Sequence, residues 1–513
     1  MATIGFVKKL RNIMRSDAGI NGDSQRIEQM VWMIFLKVYD TQEYDWECED
    51  DNFKSIIPED LRWRNWARTK DDNGKIISND KTSDELYEFV NNTLFPVLKG
   101  ESSLDGKYKG IVVTNKTPMG QAIIQKVFKR TQQYMKDPIL LRQALSVVDE
   151  IELDSAKEIH LFGDIYEDIL KELQSAGSAG EFYTPRAVTE FIIKMLDPRL
   201  GEIVGDFAMG TAGFLVSALK HLESQKKTAE DVELFQNSVV GQEWKPFPFL
   251  LAAANLMLHG ITNPNIINDD SLDVDLNDFR TKGKVDVIAM NPPYGGCTSA
   301  SVKMRFKKEF RTSETADLFM VLIMARLKHK GRAAVVLPDG FLFGNDMVKN
   351  NIKMKLLKEF NLHTIIRLPG SVFSPYTSIA TNILFFNNEI AEDAPYGFST
   401  KEVWFYRMDI PEGYINFSKT NPMKIEHTEE IKKWWKNRRE IIISDNNIKS
   451  KCCHIKELID ADLNFDICKY PKEEIEILRP DILLKKYWDE RDYLQNKIDN
   501  ALDDISRMLG IKL

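Results

Sequence analysis

The stretch GKVDVIAMNPPYGG, residues 283–296, decides how the chain is read. Val285 to Met290 is an apolar, β-branched run of strand length, closed by Pro292-Pro293. Two consecutive prolines contribute no N–H and fix the backbone. The Asn291 amide oxygen and the Pro292 carbonyl can therefore converge on one point at the strand's carboxyl end. A planar amino group with two N–H donors fits that point. Accepting both hydrogens makes a conjugated amine more pyramidal and turns its lone pair towards an electrophile, so no covalent nucleophile is needed. Tyr294 offers a ring on which a planar base stacks once it has left a duplex. A Pro-Pro-aromatic run also suits a plain loop, and asparagine at the strand end argues against that reading.

Outward from this stretch, short β-branched runs alternate with helical ones: GEIVGDF (201–207), FLVSALKHL (214–222), NSVVGQE (237–243), LLAAANLMLHG (250–260), GRAAVVLP (331–338) and HTIIRLP (363–369). This repetition predicts a mostly parallel α/β sheet that binds ligands beyond the carboxyl ends of its strands. The first strand ends in Asp206 and runs through Ala208 to Gly213 into a helix. Small residues there let the backbone approach a ligand, and the helix start offers N–H groups to an anionic end; a tight turn needs glycine for its own geometry as well. The next strand ends in Glu243, 37 residues beyond Asp206. A carboxylate there either accepts both ribose hydroxyls or is a solvated strand end. The spacing exceeds the roughly 20 residues usual in dinucleotide enzymes and GxGxxG is absent, which favours an adenosyl ligand without phosphates.

The 513 residues suggest two or three domains. Residues 1–174 read as a helical amino-terminal domain, with Ile27, Met30, Val31, Ile34, Phe35 and Val38 on one helical face and a polar loop from Thr69 to Asp84. SAGSAGEFYTPR (175–186) reads as a hinge into a catalytic domain ending at residue 392. Residues 393–513 form a carboxyl-terminal region whose last helix carries Tyr487, Leu494, Ile498, Leu502, Ile505 and Leu509 as one apolar stripe, fit to pack on its own chain or on a partner. Phe249 to Leu258, interrupted by Asn255, is too short to span a bilayer and reads as a buried helix. The start MATIGFVKKLRN is the reverse of a secretory signal, and five scattered cysteines suit a reducing compartment, so a cytoplasmic location is expected. Cys452-Cys453-His454 lacks paired metal-ligand spacing, so no metal is expected. Cys297 reads as loop filling. A net charge of -8 argues against a chain that grips duplex DNA unaided. Lys303, Arg305, Lys307, Lys308 and Arg311 follow the NPPY stretch closely and suit either phosphate contact or a solvated face.

The order EFYTPR, DFAMGTAGF, GQEWKP, NDDSL, NPPY and VVLPDGFLFG resembles the modification subunits of type I restriction-modification enzymes over nearly the whole chain. The resemblance implies a Rossmann-like S-adenosylmethionine-dependent methyltransferase domain flanked by helical regions. It implies methylation of the exocyclic amine of a flipped adenine in double-stranded DNA. Glu181, Phe182, Tyr183, Thr184, Pro185, Arg186, Thr211, Ala212, Gly213 and Glu243 then look like cofactor contacts. Asp206 and Asp270 match acids of the same pocket, and Asn291, Pro292 and Tyr294 match the catalytic motif. Phe207 stands where the family commonly has proline, Ala212 where it commonly has glycine, and Asp269 at a usual glycine position. Implied partners are a separate DNA-specificity subunit flanked by two copies of this chain, and a translocating nuclease subunit for cleavage.

Three other readings use the same residues. Asn-Pro-Pro-Tyr also occurs in enzymes that methylate the glutamine side-chain amide in proteins. A self-contained DNA methyltransferase would need a sizeable recognition module, for which the tail beyond Glu392 is small. A noncatalytic scaffold should have lost an acceptor, yet Asn291, Tyr294, Asp206 and Glu243 all remain.

Overall fold

A computed structural model of the chain describes residues 2–69, 81–151, 153, 156–171, 183–280, 283–296, 298–389, 397–444, 447–471 and 480–509. Glu181, Phe182, Cys297, most of the expected polar loop before Asp84 and most of the expected hinge lie outside the described residues. Residues 1–469 form one compact unit and 470–513 a second.

The first unit is organised on a single sheet of ten strands: β1 (Val204–Asp206), β2 (Val239–Gln242), β3 (Ile266–Ile267), β4 (Val285–Met290), β5 (Leu327–Pro338), β6 (Asn361–Arg367), β7 (Thr381–Asn387), β8 (Glu402–Arg407), β9 (Ile441–Ser444) and β10 (Asn447–His454). Their order is β3-β2-β1-β4-β5-β7-β6-β8-β10-β9. The first five pair in parallel, as strands linked by long crossovers must. Beyond β5 the sheet turns mixed. β7 lies antiparallel between β5 and β6, β8 is parallel to β6, and β10 is antiparallel to β8 and β9. The two-residue interval between β9 and β10 favours an antiparallel pair.

Helices cover the sheet and supply the amino-terminal region. They include α1 (Asp23–Glu49), α2 (Ala156–Lys171), α3 (Arg186–Leu196), α4 (Gly213–Glu223), α5 (Pro246–Leu258) and α6 (Met347–Glu359). The apolar face of α1 is buried from Ile27 to Val38 and packs against α5, so the helical region and the sheet share one core. α5 is buried along almost its whole length, Asn255 included. No described helix is long and apolar enough to cross a membrane.

The expected change near residue 392 is not where the sheet ends: β8, β9 and β10 extend it to His454. β9, at the sheet's edge, and β10 beside it are at most half buried, and β10 carries polar or charged residues on both faces, which blurs the period-two pattern. Cys452, Cys453 and His454 occupy successive positions of β10, so their side chains alternate between its faces. In the second unit, α7 (Pro480–Leu509) carries the expected stripe, with Tyr487, Leu494, Ile498, Leu502 and Ile505 between 46% and 60% exposed.

One buried cation fastens the late chain to the sheet. The Lys353 ammonium on α6 is fully buried and donates to the carbonyls of Leu342, Gly344 and Leu463 at 2.9, 2.8 and 2.9 Å. Asp462 and Leu463 both adopt left-handed backbone, φ 53° and 56°, a conformation disfavoured for residues with a Cβ. Lys353→Met strands three buried carbonyls and is expected to cost about 3 kcal/mol of stability, read as a lower denaturation midpoint with an unchanged slope.

Candidate functional site

The chain leaves β1 towards β2 on one side and returns to pair β4 on the other. At such a reversal the loops following the two strands part and open a crevice at their carboxyl ends. A cavity of about 580 Å³ lies there, lined by the turn after β1, the residues after β2, Asp270 to Leu272, the Asn291 to Gly296 turn, Tyr183 and Thr184, and a loop after β6 that includes Phe373, Tyr376 and Thr377.

Two buried carboxylates form its floor. Asp206 is 1% exposed and accepts from the Ala208 N–H at 3.1 Å. Burial, and then the neighbouring Glu243, push its carboxyl up to about 8. Glu243 accepts from Gly210 N–H at 3.0 Å and Lys245 N–H at 2.8 Å, one bond on each oxygen. Its orientation is thus fixed while each oxygen keeps a lone pair for a hydroxyl donor. Burial raises Glu243 as well. Such a floor suits a ligand that brings hydroxyl donors and positive charge, since either favours the ionised carboxylates that burial opposes. S-adenosylmethionine, with its ribose, ammonium and sulfonium, fits that donor set.

The turn between these acids holds Gly210 at φ 52° and Ala212 at φ 63°. At Gly213 a Cβ would meet Arg186 Nη1 at 1.9 Å, so a side chain there would push the guanidinium from its place beside Glu167. Phe207 has its own support. Its carbonyl accepts from Ser271 Oγ at 2.6 Å, and the Arg326 guanidinium sits 3.6 Å from its ring centroid, so an aromatic ring fills a gap that proline would leave less well packed.

Asn291 stands directly after β4. Its Nδ2 donates to Thr184 Oγ1 at 3.2 Å, and its Oδ1 accepts from the Tyr294 hydroxyl. The Pro293 carbonyl is taken by Thr315 Oγ1 at 2.8 Å, whereas no donor among the described residues takes the Pro292 carbonyl. Two acceptors therefore lie at one turn, one oriented through Thr184 and the other unspent.

Of the residues expected from the sequence, Tyr183, Thr184, Asp206, Thr211, Gly213, Glu243, Asp270, Asn291, Pro292 and Tyr294 line the cavity. Asp270 does so and Asp269 does not. Pro185, Arg186 and Ala212 are not among the residues that line the cavity: Arg186 is in an ion pair with Glu167 and Ala212 is wholly buried. The five basic residues after NPPY lie outside the cavity. Val302, Phe306 and Phe310 anchor this stretch in the core while Arg305, Lys307 and Lys308 stay exposed. Arg305 pairs with Asp273 at 2.9 Å, and Arg311 donates to the Phe306 carbonyl. Sequence reasoning missed Trp244, Phe373, Tyr376 and Thr377. The signal available for the last three was their place after HTIIRLP, a strand ending on the same sheet edge.

Comparison with known proteins agrees with this geometry. The N-6 DNA Methylase family matches residues 157–477, and the HsdM N-terminal domain matches residues 5–148. The methylase subunit of the Escherichia coli type I restriction enzyme EcoEI is 43% identical over 508 residues, covering 98% of each chain. A modification subunit from Vibrio vulnificus, assigned to a type I restriction enzyme, is 37% identical with a TM-score of 0.73, over 93% of this chain and 98% of that one. A structure from a study of type I restriction-modification assembly is 29% identical with a TM-score of 0.77, over 99% and 98%.

Asp206 gives the site a pH signature. An unfolded Asp ionises near 3.8, and the folded one near 8. Its contribution to stability is complete at low pH and is lost as pH rises through that window, by about 1 kcal/mol per unit. Asp206→Asn should therefore raise the melting temperature of the ligand-free protein by several degrees at pH 7.5 and by less at pH 5, as scanning calorimetry at both values will test.

Proposed function

The chain belongs to the N-6 DNA methylase family, among the methylase subunits of type I restriction-modification systems, and we propose that its cavity methylates the exocyclic N6 amine of adenine in double-stranded DNA. The observation that carries the proposal is that a pair of acceptors, Asn291 Oδ1 and the Pro292 carbonyl, shares one cavity with the buried acids Asp206 and Glu243. S-adenosylmethionine, when bound, supplies an electrophilic methyl on a sulfonium. Glu243 accepts its ribose hydroxyls, Asp206 and Asp270 line the same pocket, and Tyr183, Thr211 and Gly213 close around it.

On the substrate side, Thr184 sets the Asn291 amide so that Oδ1 faces the cavity. The adenine amine donates one hydrogen to Oδ1 and the other to the Pro292 carbonyl, which directs its lone pair towards the methyl. The Tyr294 hydroxyl leaves Oδ1 as the base arrives, and its ring then stacks on the flipped base. Transfer would form the N6–carbon bond as the sulfonium carbon–sulfur bond breaks to a neutral thioether, and the methylated amine would shed its extra proton to solvent.

Charge supports a divided enzyme. With a net charge of -8, the chain holds DNA through a specificity subunit, at two copies of this chain per specificity subunit. The exposed stripe of α7 suits such a partner. Lys303, Arg305, Lys307, Lys308 and Arg311 touch phosphates beside the flipped base, and a translocating nuclease subunit joins for cleavage. The complex works in the cytoplasm.

Asn291→Ala is expected to lower methyl transfer at least a thousandfold, on the order of 4 kcal/mol of transition-state stabilisation, while cofactor affinity stays within about threefold. Glu243→Ala should do the reverse and weaken cofactor binding about tenfold or more. Radiolabel transfer to unmethylated DNA, with and without the specificity subunit, and calorimetry measure the two. Equal loss of both properties in Asn291→Ala refutes its role, and labelling of protein instead of DNA refutes the substrate.

A further inference from the structure

Asn255 interrupts the most apolar helix of the chain, and its surroundings account for the interruption. It is fully buried, and its Nδ2 donates to the Thr211 carbonyl at 2.8 Å and to Glu167 Oε1 at 2.9 Å. Glu167, on α2, also receives the Arg186 guanidinium through two bonds, one of them 3.1 Å from Nη2 to Oε1. The same Nη2 reaches Thr211 Oγ1 at 3.4 Å. Glu167 and Thr211 are 5% and 1% exposed. Burial alone opposes ionisation of Glu167, yet Arg186 outweighs it and keeps the carboxylate charged.

The network meets the turn at its weakest point. Thr211 precedes Ala212, which holds φ 63° and ψ 30°, a left-handed conformation that a Cβ resists and that glycine adopts readily. The turn carries alanine there and glycine at 213, where a side chain would push the Arg186 guanidinium from its place. Both the carbonyl and the hydroxyl of Thr211 are held from behind, so its cavity-facing surface is fixed before a ligand arrives.

We propose that Glu167, Arg186 and Asn255 are positioning residues for the cofactor, a buried brace that holds the Thr211–Gly213 turn left-handed and couples cofactor affinity to docking of α2. The proposal rests on the cavity binding S-adenosylmethionine. None of the three touches the cofactor; each acts through Thr211. Coupling is reciprocal, so S-adenosylmethionine also tightens α2 against the sheet.

The test measures S-adenosylmethionine affinity of the full chain by calorimetry, turnover at saturating cofactor with the specificity subunit and DNA, and amide exchange in α2. Asn255→Ala is expected to raise the dissociation constant about tenfold, leave saturated turnover within about twofold, and abolish the slowing of α2 exchange by cofactor. Adding Ala212→Gly, which lets the turn form unaided, is expected to restore most of the affinity. An unchanged dissociation constant in Asn255→Ala, or no recovery with Ala212→Gly, overturns the brace while leaving cofactor binding intact. Should Asn255→Ala not fold, Glu167→Gln decides, since it keeps the shape and removes the charge: a weakened affinity supports the brace and an unchanged one overturns it. If the unaltered chain itself binds no S-adenosylmethionine, the cavity assignment fails instead.

Discussion

Everything in the site depends on β1 pairing in parallel with β2 on one flank and β4 on the other. Parallel neighbours need crossovers, so the chain must leave β1 in one direction, build β2 and β3, and return across it. That reversal aims Asp206, Glu243 and Asn291 at one crevice although they are distant in sequence. The remaining strands extend the sheet and bring the loop after β6 to the same edge, where Phe373 and Tyr376 complete the wall.

The polar groups divide into those that face the cavity and those that hold them. Glu243 is oriented by two backbone N–H groups, Asn291 by Thr184, and Thr211 by Arg186 and Asn255. The segment Tyr183 to Arg186 takes part on both sides: Thr184 holds the Asn291 amide after β4, and Arg186 reaches Thr211 in the turn after β1. One short piece of chain therefore registers two binding surfaces against each other, to the tolerance that in-line transfer between bound groups demands.

What the sequence disclosed was governed by locality. Asp206, Glu243 and Asn291 were readable because each ends a short apolar run, and strand ends are a one-dimensional property. Proline stiffness made the Asn291 turn readable for the same reason. The ion pair of Arg186 with Glu167 was not legible, because Glu167 lies in another helix and no local pattern reports such a contact. Asn255 was visible only as a break in an apolar run. The strands after residue 397 escaped because they do not alternate with helices in a regular strand-helix rhythm, and their membership of the sheet is a long-range fact.

The hydrogen bond between the Tyr294 hydroxyl and Asn291 Oδ1 has a consequence for selectivity among small molecules. A cell is full of amines able to donate to an exposed carbonyl oxygen. In this cavity that oxygen is already satisfied, so an incoming donor gains little by replacing one hydrogen bond with another. A flat aromatic guest gains twice, since it repays the freed tyrosine with ring contact as well as meeting the oxygen. The aromatic side chain thus makes Asn291 Oδ1 a poor target for small amine donors and a better one for a flat aromatic guest.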